Sequence, residues 1–440
     1  MHRLVFIASI VAFGLLLGGC GVSPGVTSGA VQPSLAARAL PSDAASTESA
    51  IRFLEKRVDR DKDDFIAYNK LAEFYLKRQR ETGSVNFLDL ALRAARASLR
   101  AMPGEHNKAG LAAMGQAEFA SHDFASARDR AMRLVELDRN KSYPYQLLGD
   151  SLTELGDYVN ASAAYDRMSR LGSGVSTETR RARELLLRGQ PVDAEKLLSG
   201  ALALARDQDS SQRETVAWIC CQLGEVAFSV GDYARAERHC RDALATFPDY
   251  YRALAGLARA RAAQGDFEAA LEHYELAVRI TPDPMFIAAL GDLYRLAGRD
   301  REAQAQYSLV EHIGKLSEMN GVLYNRQLAM FYADHDLKAS EAYELAKREY
   351  GIRRDVYGAD AVAWTALKAG KLSEAQSAVR EALKLGTRDA RILYHAGMIA
   401  LAAGDNSAAR DYLNRALALS PHFDPLQELN ARTSLEGLRR

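Results

Sequence analysis

The chain of 440 residues carries four cysteines and nine histidines, the side chains best suited to nucleophilic or metal chemistry. Their spacing supports neither. No two of Cys20, Cys220, Cys221 and Cys240 have the two-residue separation of a zinc or redox pair. The histidines are scattered, and no H-E-x-x-H run, phosphate loop or dinucleotide fingerprint is present. His239 adjoins Cys240, but successive helical residues diverge by about 100° and do not share a face. Gly21-Val22-Ser23-Pro24-Gly25 matches G-x-S-x-G. A nucleophile elbow needs a strand before its serine and a helix after it, whereas this serine precedes a proline. The chain therefore reads as non-enzymatic, with no catalytic residue, no metal site and no cofactor.

Composition agrees. Lys+Arg and Asp+Glu number 57 each, so the formal net charge is zero and nothing marks a basic nucleic-acid binder. Hydrophobic residues at 48% and charged residues at 26% fall in the globular range. The length exceeds one ordinary core, which calls for several domains or a repeat array.

The N-terminus joins a short basic start, Met1-His2-Arg3, to the apolar run LVFIASIVAFGLLLGG and then Cys20. This is the layout of a secretory signal, and the run is short of the roughly twenty residues of a spanning helix. Leu17-Gly18-Gly19-Cys20 resembles the bacterial lipobox. That resemblance implies cleavage before Cys20 and acylation of both its thiol and the new N-terminus. One acyl chain binds membrane weakly and two or more bind stably, at about 0.8 kcal/mol per methylene. Gly21, where Asp would mark retention, implies the outer membrane facing the periplasm in an organism with two membranes. Residues 1–19 are thus expected to be a signal peptide. Residues 20–47, rich in Gly, Ser, Ala and Pro, are expected to be a lipidated tether.

The body repeats itself. Gly224, Ala236, Cys240, Ala243 and Pro248 reappear 34 positions on as Ala258, Ala270, Tyr274, Ala277 and Pro282. Related sets are Gly149, Ala161 and Tyr165, then Gly291, Ala303 and Tyr307, then Gly397, Ala409 and Leu413. Between the halves stand turns such as Gly156-Asp157, Gly231-Asp232, Gly265-Asp266, Gly370-Lys371 and Gly404-Asp405. Glycine supplies the left-handed residue that ends a helix, and a following Asp can cap the next. Each half is a short amphipathic helix, marginal alone, so the pairs must bury their apolar faces on one another. Small residues in the first helix admit a larger residue from the second. Irregularities are expected as an insertion around Arg78 to Phe87, extra residues near Arg206 to Arg213, and a unit at Tyr324 to Tyr350 with His335-Asp336 in place of Gly-Asp.

These residues resemble the tetratricopeptide repeat family over about residues 50 to 425. The resemblance implies an all-α fold, a right-handed α-solenoid of about ten helical hairpins over residues 48–425, with a capping helix at 426–440. Cys220 and Cys240 then fall on facing helices. Two readings stay open, a disulfide in an oxidising envelope and two small buried hydrophobes, with Cys221 free. The family's ligand surface is the concave face of the first helices. Carried across, it implies a partner-binding groove of Trp218, Glu225, Arg252, Arg259, Asp292, Arg295, Tyr357, Trp364 and Tyr394. Aromatics and arginine often dominate binding energy. The expected function is an interaction scaffold in the bacterial cell envelope. It would hold a peptide or helix of a protein partner, touch the membrane through its N-terminal lipid, and bind no nucleic acid. A pilotin-like or chaperone-like assembly factor and a glycan-binding module are the alternatives. The oligomeric state is left open.

Overall fold

The computed structural model describes residues 43–207, 213–320 and 325–438. The signal peptide, Cys20 and the tether up to residue 42 lie outside the described residues. The unit Asp43–Arg440 is all-α, with 22 helices and no strand among the described residues. A lone helix α1 (Asp43–Arg60) leads into α2 and α3 (Phe65–Thr82, Val85–Ala101), α4 and α5 (Lys108–Ala120, Phe124–Leu137), and α6 and α7 (Ser142–Glu154, Tyr158–Leu171). Then come α8 and α9 (Val175–Leu187, Pro191–Asp207), α10 and α11 (Arg213–Ser229, Tyr233–Thr246), α12 and α13 (Tyr251–Ala263, Phe267–Ile280), and α14 and α15 (Pro284–Leu296, Asp300–Asn320). The array ends with α16 and α17 (Asn325–Asp334, Ala339–Ile352), α18 and α19 (Val356–Lys368, Leu372–Leu383), α20 and α21 (Ala390–Ala402, Asn406–Leu419), and a lone α22 (Gln427–Gly437). Each even-numbered helix from α2 to α20 pairs with the next, giving ten hairpins, and each hairpin stacks on its neighbours.

The turns form as their residues dictate. Gly156, Gly231, Gly265, Gly370 and Gly404 adopt φ between +72 and +82. The Asp after four of them caps the next helix: Asp157, Asp232, Asp266 and Asp405 accept from the amides of Asn160, Arg235, Ala269 and Ala408. Packing between the two helices of a hairpin is tight where the small residues predicted it. A Cβ at Gly149 would lie 2.4 Å from the Tyr165 ring, one at Gly291 2.6 Å from Tyr307, and one at Gly397 2.7 Å from Leu413. Ala127, Ala194, Ala270, Ala375 and Ala409 are fully buried beside such contacts.

Of the irregular units, one differs from the sequence reading and two follow it. Arg78 to Phe87 is not an inserted loop: α2 and α3 are 18 and 17 residues long and turn at Gly83-Ser84. The extra length near Arg206 extends α9 to 17 residues. In α16–α17 the left-handed residues are Asp336 and Lys338, and Lys338 is the N-cap without a side-chain bond.

The solenoid also winds back onto itself. Thr281 Oγ1 donates to the Thr82 carbonyl at 2.8 Å across 199 residues, and Thr387 Oγ1 to the Leu187 carbonyl at 2.6 Å across 200. The Val356 amide donates to the Tyr158 hydroxyl at 2.8 Å across 198 residues, beside an Arg353–Glu154 ion pair. The His422 amide donates to the Tyr233 hydroxyl at 2.7 Å, and Ser420 Oγ to the Phe228 carbonyl at 3.1 Å. In each case the turn inside one hairpin meets the connection that follows the eleventh helix further on: α2–α3 meets α13–α14, α6–α7 meets α17–α18, α8–α9 meets α19–α20, and α10–α11 meets α21–α22. A small rotation per hairpin has accumulated into one superhelical turn, and a seam joins it to the next.

Candidate functional site

The last turn encloses a chamber of about 970 Å³. Its wall is built from the first helices of successive hairpins: α10 gives Glu225 and Phe228, α12 Arg252, Ala255, Arg259 and Ala262, and α14 Met285, Ala288 and Asp292. From α16, α18 and α20 come Asp334, Tyr357, Asp360 and Arg391, and His335 follows directly after α16. The segment from Ser420 to Leu429 completes the ring, and its seam bonds return it to Phe228 and Tyr233 on α10 and α11.

Regular helical spacing places these side chains. In α12, Arg252, Ala255, Arg259 and Ala262 recur at intervals of three and four, which is one helix face. Alanine leaves the wall recessed, and the longer residues rim it. Arg259 lies with its guanidinium 4.0 Å from the Phe228 ring centroid and pairs with Glu225. Arg252 lies over Tyr251 at 5.2 Å. Met285 and Tyr357 are 56% and 39% exposed, so apolar surface faces the chamber space.

Charge in the wall is matched pairwise. Asp292 accepts from the Tyr307 hydroxyl at 2.9 Å and contacts His335 Nε2 at 2.7 Å. The other His335 nitrogen, Nδ1, lies 2.7 Å from the Phe331 carbonyl. Both contacts are to acceptors, which the imidazolium satisfies. Burial opposes that charge, but Asp292 and the carbonyl outweigh it and raise the pKa above its ordinary value. Arg391 pairs with Asp424 at 2.6 Å. Burial works against its charge too, and Asp424 with Asp334 more than restores it. Asp334 accepts from Trp364 Nε1 at 2.9 Å, and burial raises its carboxyl above the ordinary range.

Of the nine groove residues expected from the sequence, Glu225, Arg252, Arg259, Asp292 and Tyr357 line this chamber together. Arg295 is exposed and outside its lining, and Trp218 is half-buried against the α9–α10 core. Trp364 and Tyr394 are each 1% exposed. Trp364 stacks on His395 with centroids 4.3 Å apart, and Tyr394 packs against Phe423 and donates to Gln427 at 2.8 Å. The C-terminal segment folds over Tyr394, while Trp364 is buried among Tyr394, His395 and Asp334. Sequence reasoning missed that segment as a wall. Pro421 and Pro425, which bracket Ser420–Pro425 as a non-helical stretch, were the available signal. Cys220, Cys221 and Cys240 are buried and unbridged, and burial raises all three thiols above the usual range. Among the described residues no group of three or more His, Cys, Asp or Glu side chains could hold a metal ion. No described helix is long and apolar enough to cross a membrane.

Comparison with solved structures finds likenesses at low identity. Human IFIT1, in a dimer with PPP-AAAA, is 16% identical over 86% of this chain and 87% of that one, with a TM-score of 0.46. The APC/C hetero-tetramer Cut9-Hcn1 is 14% identical over 90% and 93%, at 0.34. Yeast Tom70 is 12% identical over 85% and 95%, at 0.32. No curated protein matches the sequence significantly. Residues 221–283 and 362–422 match the family model for the tetratricopeptide repeat, and the described residues form an all-α array of helical hairpins.

Proposed function

We propose that the protein is a non-enzymatic scaffold that captures a peptide or helix of a partner protein in the chamber of its last turn. The observation that carries this is the inner wall of α12 and α14. Recessed alanines lie between exposed Arg252 and Met285, with the Glu225–Arg259 pair beside them. Such a surface offers an apolar floor with a mixed-charge rim, which suits an amphipathic segment. The lipobox at Leu17 to Cys20 supports placing this scaffold in the bacterial cell envelope, anchored by lipid.

Photo-cross-linking residues installed singly at Arg252 and Met285, and at Val159, which is 81% exposed and outside the chamber lining, test the reading in cells. One protein partner should cross-link from the two chamber positions and not from Val159. Equal cross-linking from all three would overturn the chamber as the binding site. In the same cells Cys20→Ala should release the chain from the membrane fraction, and retention there would overturn the anchor.

A further inference from the structure

Two stretches of the chain carry the Asn-x-Ser pattern that accepts an oligosaccharide on the asparagine amide, Asn140-Lys141-Ser142 and Asn160-Ala161-Ser162. Transfer needs an exposed segment. The amide must enter the active site of another enzyme, and the product is bulky and polar. The fold treats the two sites in opposite ways.

Asn140 lies in the connection between α5 and α6, outside both helices. That connection is a tight turn closed by the Lys141 amide, which donates to the Asp138 carbonyl at 3.0 Å. Tyr143 and Tyr145 of α6 hold the side of the turn before Asn140: their hydroxyls donate to the Asp138 carboxylate at 3.0 Å and to the Arg139 carbonyl at 3.1 Å. Arg139, Asn140 and Lys141 are all exposed. The Asn140 side chain makes no hydrogen bond with a described residue, and neither does the hydroxyl of Ser142, the first residue of α6. The turn is thus fixed at its base and presents a free amide.

Asn160 stands in the first turn of α7. Its side-chain nitrogen donates to Asp157 at 2.7 Å, and its backbone amide donates to the same carboxylate at 3.2 Å. Two residues before it, the Tyr158 hydroxyl accepts the seam bond from Val356. Presenting Asn160 would unwind the start of α7 and break that seam contact, whereas presenting Asn140 needs only a side-chain rotation.

We infer that Asn140 is an acceptor for N-linked oligosaccharide and that Asn160 is not. This rests on the reading of the chain as exported to the envelope, the side of the membrane on which lipid-linked oligosaccharide is presented. The donor is an oligosaccharide carried on polyprenyl pyrophosphate. The Asn140 amide nitrogen forms a bond to the anomeric carbon of the first sugar, and the bond from that carbon to the pyrophosphate oxygen breaks. Polyprenyl pyrophosphate leaves with the electron pair, and one amide proton passes to a base of the transferase. The free Ser142 hydroxyl is the group by which the transferase recognises the acceptor.

The full chain, purified from a host without an oligosaccharyltransferase, tests this in vitro with a purified single-subunit oligosaccharyltransferase and its lipid-linked oligosaccharide. Intact-mass spectrometry should show one added oligosaccharide on the wild type and on Asn160→Gln. Asn140→Gln and Ser142→Ala should show none, with unchanged circular dichroism. A wild type left bare while a control acceptor peptide is modified would overturn the inference, as would an added mass that survives Asn140→Gln or is lost in Asn160→Gln. Enzyme and donor are supplied here, so the result does not depend on export. Fractionation of Cys20→Ala tests the envelope reading separately, and the two can fail independently.

Discussion

Glu154 shows how a single residue can hold two turns of a solenoid together. Its side chain is 5% exposed and faces Arg183 from its own turn and Arg353 from the next. Burial pushes the carboxyl up, but the two guanidinium groups prevail and hold it at about 2. His122 stands nearby in the α4–α5 turn with φ +64, where other turns place glycine. Burial and Arg353 hold its imidazole down at about 4. The signs follow from linkage. The depressed carboxyl contributes stability that is complete above its ordinary 4.5 and is lost as pH falls through about 2. The depressed imidazole is neutral when folded, so stability is lost as pH falls from 6.5 through about 4. Thermal melting should therefore decline in two stages as pH falls below 6.5. His122→Gly should reduce the upper stage, to which the lowered imidazoles of His239 and His273 also contribute, and Glu154→Gln should reduce the lower one. The latter should also cost about 1–2 kcal/mol at pH 7, because two half-buried arginines lose their buried partner. A melting temperature independent of pH between 4 and 6.5 in the wild type would contradict the assignment to His122.

Between helices, the same substitution should have opposite signs at two glycines. Gly149 lies in α6 against the Tyr165 ring, whose hydroxyl donates to Asp150 at 2.8 Å. Alanine there must displace a buried, hydrogen-bonded ring, and overpacking of this kind costs about 1–3 kcal/mol. Gly200 lies within α9, exposed, with nothing within 4 Å of a Cβ. Alanine there gains helix propensity, up to about 1 kcal/mol. Chemical denaturation of Gly149→Ala and Gly200→Ala should give shifts of opposite direction, and a stabilised Gly149→Ala would refute the close approach. Features at this scale were legible in the sequence because each repeat states them anew. The Gly-Asp turns, the small residue at Gly149 and the larger partner at Tyr165 are all local, within one 34-residue period. Half of the site was legible for the same reason: Arg252, Arg259 and Asp292 recur at fixed places on the first helices. Trp364 and Tyr394 occupy such places too, and the segment after α21, which packs on Tyr394 and belongs to no repeat, closes over that stretch. Their environment could not be inferred from the periodic pattern that located them.

For the molecule as a whole, the open question is what sets the pitch. Hairpin stacking is apolar, built from buried residues such as Ile287, Leu293, Tyr332 and Ile392. The seam is built mainly of hydrogen bonds between turns and connections, with Glu154–Arg353 as its ion pair. Each such bond contributes about 1 kcal/mol net, so the seam as a whole supplies only a few kcal/mol while constraining residues some 200 positions apart. No local pattern announces it, since it depends on the sum of the rotations between eleven helices. A weak contact at the end of a long lever can still select among nearly equal windings, because a change of a few degrees per hairpin costs little in each stacking interface. Combining Arg353→Gln, Tyr158→Phe and Thr387→Val removes the seam bonds at two of its four contacts without touching the hairpin cores. Helical content and the main unfolding transition should persist, while small-angle scattering should report a larger radius of gyration. Amide exchange should also quicken at His422, whose own bond to Tyr233 is left intact, because the turns part along their length. An unchanged radius together with unchanged exchange at His422 would mean that stacking alone fixes the pitch and that the seam merely follows it.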